Sequence, residues 1–151
     1  MDLVIDRLGE EAERAPRAPL LPRSALTNSQ AWTQSGAVAS WLIAQGFGPN
    51  GRSLAITAHD SDERTILLLG ALRAGALVVE APAAATLTFV IRDGGLVTPE
   101  GVSLAAMARS SIDASVAERR LHISVSTAVR VIGGICRRHG DFATIAEAVA
   151  A

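Results

Sequence analysis

Leu69-Gly70-Ala71-Leu72-Arg73-Ala74-Gly75-Ala76-Leu77-Val78-Val79 changes periodicity part-way along its length. Up to Ala74 its small and aliphatic residues suit a packed helix. Gly75 is the residue type that ends a helix in the left-handed conformation. Leu77-Val78-Val79 then has the β-branched apolar character of a short strand. Residues 62–74, upstream, are rich in Leu and read as a helix, and Ser53-Leu54-Ala55-Ile56-Thr57 reads as a strand. Strand, helix and strand in so short a stretch predict a βαβ unit, which requires parallel pairing and a crossover connection.

The neighbouring segments extend this unit in both directions. Thr27-Asn28-Ser29-Gln30 is a capping-box pattern, with Thr27 as N-cap and Gln30 reaching back. Behind it Trp32, Gly36, Ala39 and Ile43 recur on one helical face, which predicts a helix over 28–45 stopped by Gly46. Gly48-Pro49-Asn50-Gly51 is a turn. Residues 2–13 carry Leu3, Val4, Leu8 and Ala12 at helical spacing, and the Pro16 and Pro19 region breaks that helix. Downstream, residues 81–85 form a loop, 87–91 a third strand, and Asp93-Gly94-Gly95 a turn from which Leu96-Val97 pairs back. A short helix is expected over 103–109 and a polar linker over 110–118. A fourth strand is expected over 121–125. A helix capped by Ser126 or Thr127 follows, with Ala128, Val129, Ile132, Ile135 and Cys136 inward, and then a last helix over 142–150. Together these elements predict one α/β domain over 1–151, with a short, open, mostly parallel sheet and flanking helices.

The composition narrows the function classes. Net charge is −1 with 3% aromatic residues, which does not suit a nucleic-acid surface built from a basic stripe and stacking rings. All 14 basic residues are Arg, so no lysine is present to form a Schiff base or to hold a phosphate as a flexible point charge. One cysteine, Cys136, permits no internal disulfide and suits a reducing compartment. The N-terminus has no signal-peptide core, and the apolar runs are too short to span a bilayer. A cytoplasmic protein without membrane contact is expected.

The stretch 27–79 resembles the N-terminal part of the adenylate-forming superfamily, which includes acyl-CoA synthetases, nonribosomal-peptide adenylation domains and luciferases. The matching pieces are Leu26-Thr27 followed by Ala31-Trp32; Gly46-Phe47-Gly48-Pro49-Asn50-Gly51-Arg52-Ser53-Leu54-Ala55-Ile56; His59-Asp60-Ser61-Asp62-Glu63; and the run from Leu69 to Val79 quoted above. Their order and spacing follow the family, and the family-like segment extends over 27–97. Residues 98–151 form a divergent helix–strand–helix tail. The resemblance implies the fold of a truncated ligase N-terminal portion. It does not carry over any catalytic residue, because these 151 residues contain no Ser/Thr/Gly-rich phosphate loop and no lysine. Glu80 stands where the family usually has Pro.

His59 and Asp60 form the densest polar cluster with Ser61, Asp62 and Glu63, just past the carboxyl end of a parallel strand, where ligands of open α/β sheets bind. A histidine beside a carboxylate is suited to act as a general base. The alternative is a solvated loop in which Ser61 or Asp62 caps the next helix. His122 shares one face of the predicted fourth strand with Ser124 and Ser126 and is a second candidate for acid–base or nucleophile-activating work. Cys136 is expected to pack in the core. Arg130, Arg137, Arg138 and His139 form a basic patch. Gly133-Gly134 inside a helix costs about 1 kcal/mol per glycine, which close approach of another helix or of a ligand would explain. Three histidines and one cysteine lack metal-ligand spacing, and no cofactor is expected. The resulting reading is a non-adenylating, acyl-CoA synthetase-like accessory or small acyl-ligand-binding protein in a biosynthetic setting. The alternative is a small repurposed enzyme using His59, Asp60 or His122. A sheet cut from a larger parent leaves apolar faces and edges to cover, so a homo-oligomer or a larger partner protein is expected.

Overall fold

The computed structural model describes residues 3–57, 61–110 and 114–150. Its centre is helix α3 (Asp62–Ala74). The Ser61 hydroxyl accepts the Arg64 N–H at 3.1 Å, so Ser61 is the cap. Asp62 and Glu63 in the first turn complement the helix dipole. Gly75, at φ 70°, ends the helix, and its N–H returns to the carbonyl of Ala71. Every residue from 64 to 74 is buried, which marks a helix packed on all sides.

Helix α2 (Asn28–Ala44) packs along α3, and its start is the capping box the sequence predicts. Thr27 Oγ1 accepts the Gln30 N–H at 3.1 Å, and Gln30 Oε1 accepts the Thr27 N–H at 2.9 Å. The helices approach closely because position 70 has no side chain. A Cβ there would lie 2.7 Å from Val38 Cγ1 and 3.3 Å from the Ala39 nitrogen. Helix α1 (Val4–Arg14) lays Val4, Ile5 and Leu8 into the same core.

The strands are β1 (Leu54–Ile56), β2 (Leu87–Arg92), β3 (Gly95–Val97), β4 (Ala128–Ile132) and β5 (Ile135–Arg138). β1 and β2 run parallel with Leu54 opposite Leu87 and Ile56 opposite Phe89. Segment 77–79 joins β1 to β4. Leu54 N–H donates to Leu77 O at 3.0 Å and Val79 N–H to Leu54 O at 2.8 Å. On the other side Val78 N–H donates to Val129 O and Val131 N–H to Val78 O, each at 2.8 Å. The strand order is therefore β3, β2, β1, segment 77–79, β4, β5, parallel in the middle and closed at each end by an antiparallel hairpin. This is the mostly parallel α/β sheet expected from the sequence.

The second half departs from expectation in three places. Helices α4 (Leu104–Ser110) and α5 (Ala114–Arg120) form, the second where a linker was expected. Residues 121–125 turn after α5 instead of forming a strand. Residues 128–138 form the β4–β5 hairpin instead of a helix. Gly133 and Gly134 have φ of 58° and 76°, and two successive positive φ values define a type I′ hairpin turn. The pair is therefore the element that makes the hairpin, and it carries no helix penalty. The β-branched content of Val129, Val131, Ile132 and Ile135 favours the strand as well. Cys136 is consequently exposed on β5 rather than packed in the core. The chain ends its regular structure with α6 (Ile145–Val149).

Polar side chains terminate the elements. Arg119 Nη1 donates to Phe47 O at 2.8 Å and Ala74 O at 2.9 Å, tying α5 to the ends of α2 and α3. Arg64 and Arg130 donate to carbonyls at the end of α6. Burial, with Arg64 nearby, brings Arg130 down to about 10. Edge N–H groups meet carboxylates: Leu96 with Glu63 at 3.0 Å, and Arg138 with Asp141 at 2.8 Å.

Gly70→Ala should lower unfolding free energy by about 1–3 kcal/mol through overpacking against Val38, measured by urea denaturation. Adding Val38→Ala should make the second change less costly than it is alone. Strict additivity would refute the close-contact account.

Candidate functional site

A cleft of about 410 Å³ opens between four helices. α1 contributes Ile5 and Asp6, α2 contributes Trp32, Thr33 and Gly36, α3 contributes Arg73, and α5 contributes Val116, Ala117 and Arg120. Asp6 sits in the first turn of α1, where its Oδ2 accepts the Leu3 N–H at 2.9 Å. Arg120 grips both its oxygens, Nε to Oδ1 at 2.9 Å and Nη2 to Oδ2 at 2.6 Å. This is the bidentate fork geometry of a strong arginine–carboxylate pair. The Arg120 hydrogen bonds hold the Asp6 carboxyl below its usual range, against the opposing effect of burial.

Arg73 enters from the last turn of α3, and it is 8% exposed. Its guanidinium lies 3.7 Å from the Trp32 ring centroid, within cation–π distance. Nη1 donates to Trp32 O at 2.6 Å and to Ser35 Oγ at 3.0 Å. A Cβ at position 36 would lie 2.9 Å from Arg73 Nη1, so the Arg73 guanidinium would have to shift to admit one. Trp32 and Gly36 are one helical turn apart on α2, so one supplies the platform and the other the room above which Arg73 lies.

His139 lies in the turn His139–Asp141 between β5 and α6 and is fully buried. Nε2 is 2.8 Å from Leu72 O. A carbonyl only accepts, so the proton is on Nε2. Nδ1 has no hydrogen-bond partner among the described residues. Burial pulls the imidazole below its ordinary value, assisted by Arg120 and opposed by the Leu72 carbonyl and Asp6. His139 is therefore a neutral internal group and not part of a solvated basic patch with Arg137 and Arg138.

His122, singled out from the sequence, is not among the described residues that line this cleft. His59 and Asp60 lie outside the described residues. Of their neighbours, Ser61 caps α3, Asp62 accepts the Ser24 hydroxyl at 2.8 Å, and Glu63 accepts the Leu96 N–H. His122 is exposed in the turn after α5, and its ring makes no hydrogen bond to a described residue. Ser124 and Ser126 do meet, with hydroxyls 2.9 Å apart, but in a turn rather than on a strand. Sequence reasoning missed the cleft. Its available signals were an arginine inside an otherwise apolar helix and the Trp32–Gly36 spacing.

Stability should fall on mild acidification because of His139. An unfolded histidine takes up its proton near 6.5, whereas the buried ring does so only at lower pH. Between those values the unfolded state holds the extra proton, so the stabilisation is complete above about 6.5 and is lost as pH drops through the window. His139→Gln, measured by urea denaturation across this range, should flatten the dependence. An unchanged slope would remove His139 as its source. Asp6 adds a second loss at more acidic pH, below 3.8.

No family model matches the sequence, and no curated protein matches it. Solved structures do match in fold. The N-terminal domain of FACL13 from Mycobacterium tuberculosis, in a crystal of space group C2, superposes with a TM-score of 0.65 at 17% identity, covering 92% of this chain and 44% of that one. The inhibitor-bound crystal structure of the same domain gives 0.65, 17%, 92% and 45%. This chain thus spans less than half the length of the domain it matches, and no described helix is long and apolar enough to cross a membrane. At this identity the likeness concerns architecture alone, and the chain has the fold of part of that N-terminal domain.

Proposed function

We propose that these 151 residues form a non-adenylating, ligase-like binding or accessory protein that takes a small acyl-type ligand in a biosynthetic setting. The observation that carries this reading is how the chain uses its ligase-like residues. Thr27 and Gln30 cap a helix, Gly46 turns the chain at φ 89°, Leu69 and Ala71 are buried, and Gly75 ends α3. These family-like positions thus serve caps, turns or packing. The sequence supplies neither a Ser/Thr/Gly-rich phosphate loop nor a lysine, so it has no run of backbone N–H groups of that kind to cradle a phosphate. The cleft gives such a protein a place for a small ligand, since its volume is in the range of small-molecule sites.

We further propose that the chain works in the cytoplasm as a homo-oligomer or beside a larger protein. The exposed apolar side chains Ile91, Leu121 and Ile135 support this, at 52%, 83% and 59% exposure. The β5 edge is less inviting, because it is short and carries two arginines, features that discourage strand addition. Side-chain docking therefore suits this surface better than sheet extension.

ATP with Mg²⁺ should leave the melting temperature unchanged, and the protein should show no pyrophosphate exchange with any acyl acid. ATP-dependent stabilisation or exchange would overturn the non-adenylating reading. Light scattering at micromolar concentration should give a mass above that of one chain, and a monomer would refute self-association.

A further inference from the structure

The charged groups that line the cleft are already in use within the protein. Arg120 Nε and Nη2 hold both oxygens of Asp6, and Arg120 Nη1 donates to Ile123 O at 3.1 Å. Asp6 Oδ2 also accepts the Leu3 N–H. Arg73 lies against the Trp32 ring and donates to Trp32 O and Ser35 Oγ. Both arginines make further interactions within the chain. An ion entering the cleft would give up its water and meet no lining charge that lacks a partner. Such an uncompensated charge is costly to bury.

The groups left open are neutral. Trp32 lines the cleft and is half-buried, and its indole Nε1–H makes no hydrogen bond to a described residue. A buried indole N–H ordinarily has a partner, and it can only donate. Thr33 beside it carries a hydroxyl that likewise bonds to no described residue. Ile5 and Val116 are apolar walls, at 4% and 8% exposure. The volume of about 410 Å³ suits a small molecule held by an apolar lining and one or two placed polar groups.

We propose that the cleft binds a small uncharged molecule with an apolar body and a carbonyl oxygen, the body lying against Ile5 and Val116 and the carbonyl accepting the Trp32 indole N–H. An amide and an ester offer the same acceptor to that donor. This inference rests on the reading that the chain binds a small acyl-type ligand, and it narrows that ligand to an uncharged acyl derivative rather than a free acid.

The test is a titration of the ¹⁵N-labelled protein, followed by NMR, with hexanamide, methyl pentanoate, hexanoate and hexylammonium. At least one of the two neutral probes should shift the Trp32 indole, Gly36 and Ala117 resonances saturably, and the tighter of the two identifies the class. The indole proton should move downfield as it gains its hydrogen bond. Each ion should bind at least about tenfold more weakly than the better neutral probe. Trp32→Phe keeps a ring beside Arg73 and removes the N–H, and it should weaken the neutral probe by about threefold or more. Ala117 is exposed, so Ala117→Trp should fold normally while filling the cleft, and it should abolish the shifts. An ion that binds as tightly as the better neutral probe, an indole proton that does not move downfield, or unchanged binding by either variant would each overturn the proposal. Saturable binding of hexanoate with both neutral probes silent would overturn it and leave the acyl-ligand reading standing. Silence of all four probes would overturn both for this cleft.

Discussion

Arg64 and Arg73 sit in a helix whose residues from 64 to 74 are all buried, and each must find acceptors inside the protein. A buried charge is costly unless it is hydrogen-bonded or paired. Arg64 reaches the carbonyls at the end of α6, and Arg73 reaches the carbonyl of Trp32 in α2. The positions of α2 and α6 around α3 are thereby set by hydrogen bonding as well as by packing. The close approach at Gly70, the cleft and the turn that carries His139 all follow from where these neighbours must lie.

The same logic explains how a chain without lysine is assembled. Helix ends leave carbonyls unsatisfied, and a single guanidinium nitrogen with two N–H groups can reach two of them at once. Arg119 does so between Phe47 and Ala74, and Arg130 does so between Ala148 and Ala150. Strand edges have the complementary need, since their N–H groups lack partners, and Glu63 and Asp141 supply acceptors there. The charged residues of this protein are in large part structural. That is consistent with a fold whose ligase-like positions also serve as caps and turns.

The first half was legible because its signals are local. The Thr27–Gln30 capping box, Ser61 before α3, and Gly75 after it are short-range hydrogen-bonding and conformational constraints that the structure reproduces. The second half was misread where two periodicities coincide. Val129, Ile132, Ile135 and Cys136 fit a helical stripe, yet Gly133-Gly134 is also a hairpin turn, and the parallel partner offered by segment 77–79 decided the outcome. That partner is distant in sequence, so no local window contains it. The cleft was hidden for the same reason, since Asp6 and Arg120 meet from opposite ends of the chain. His139 looked like part of a surface patch because its neighbours are arginines, although its ring turns inward to Leu72.

If α3 organises the molecule, its amides should be the last to exchange. Native-state hydrogen exchange tests this directly. Amides within 66–72 should exchange only by global unfolding, with a free energy equal to that from denaturation and the same denaturant dependence. Exchange of these amides through a cheaper, denaturant-independent opening, with another element protected longer, would contradict the account.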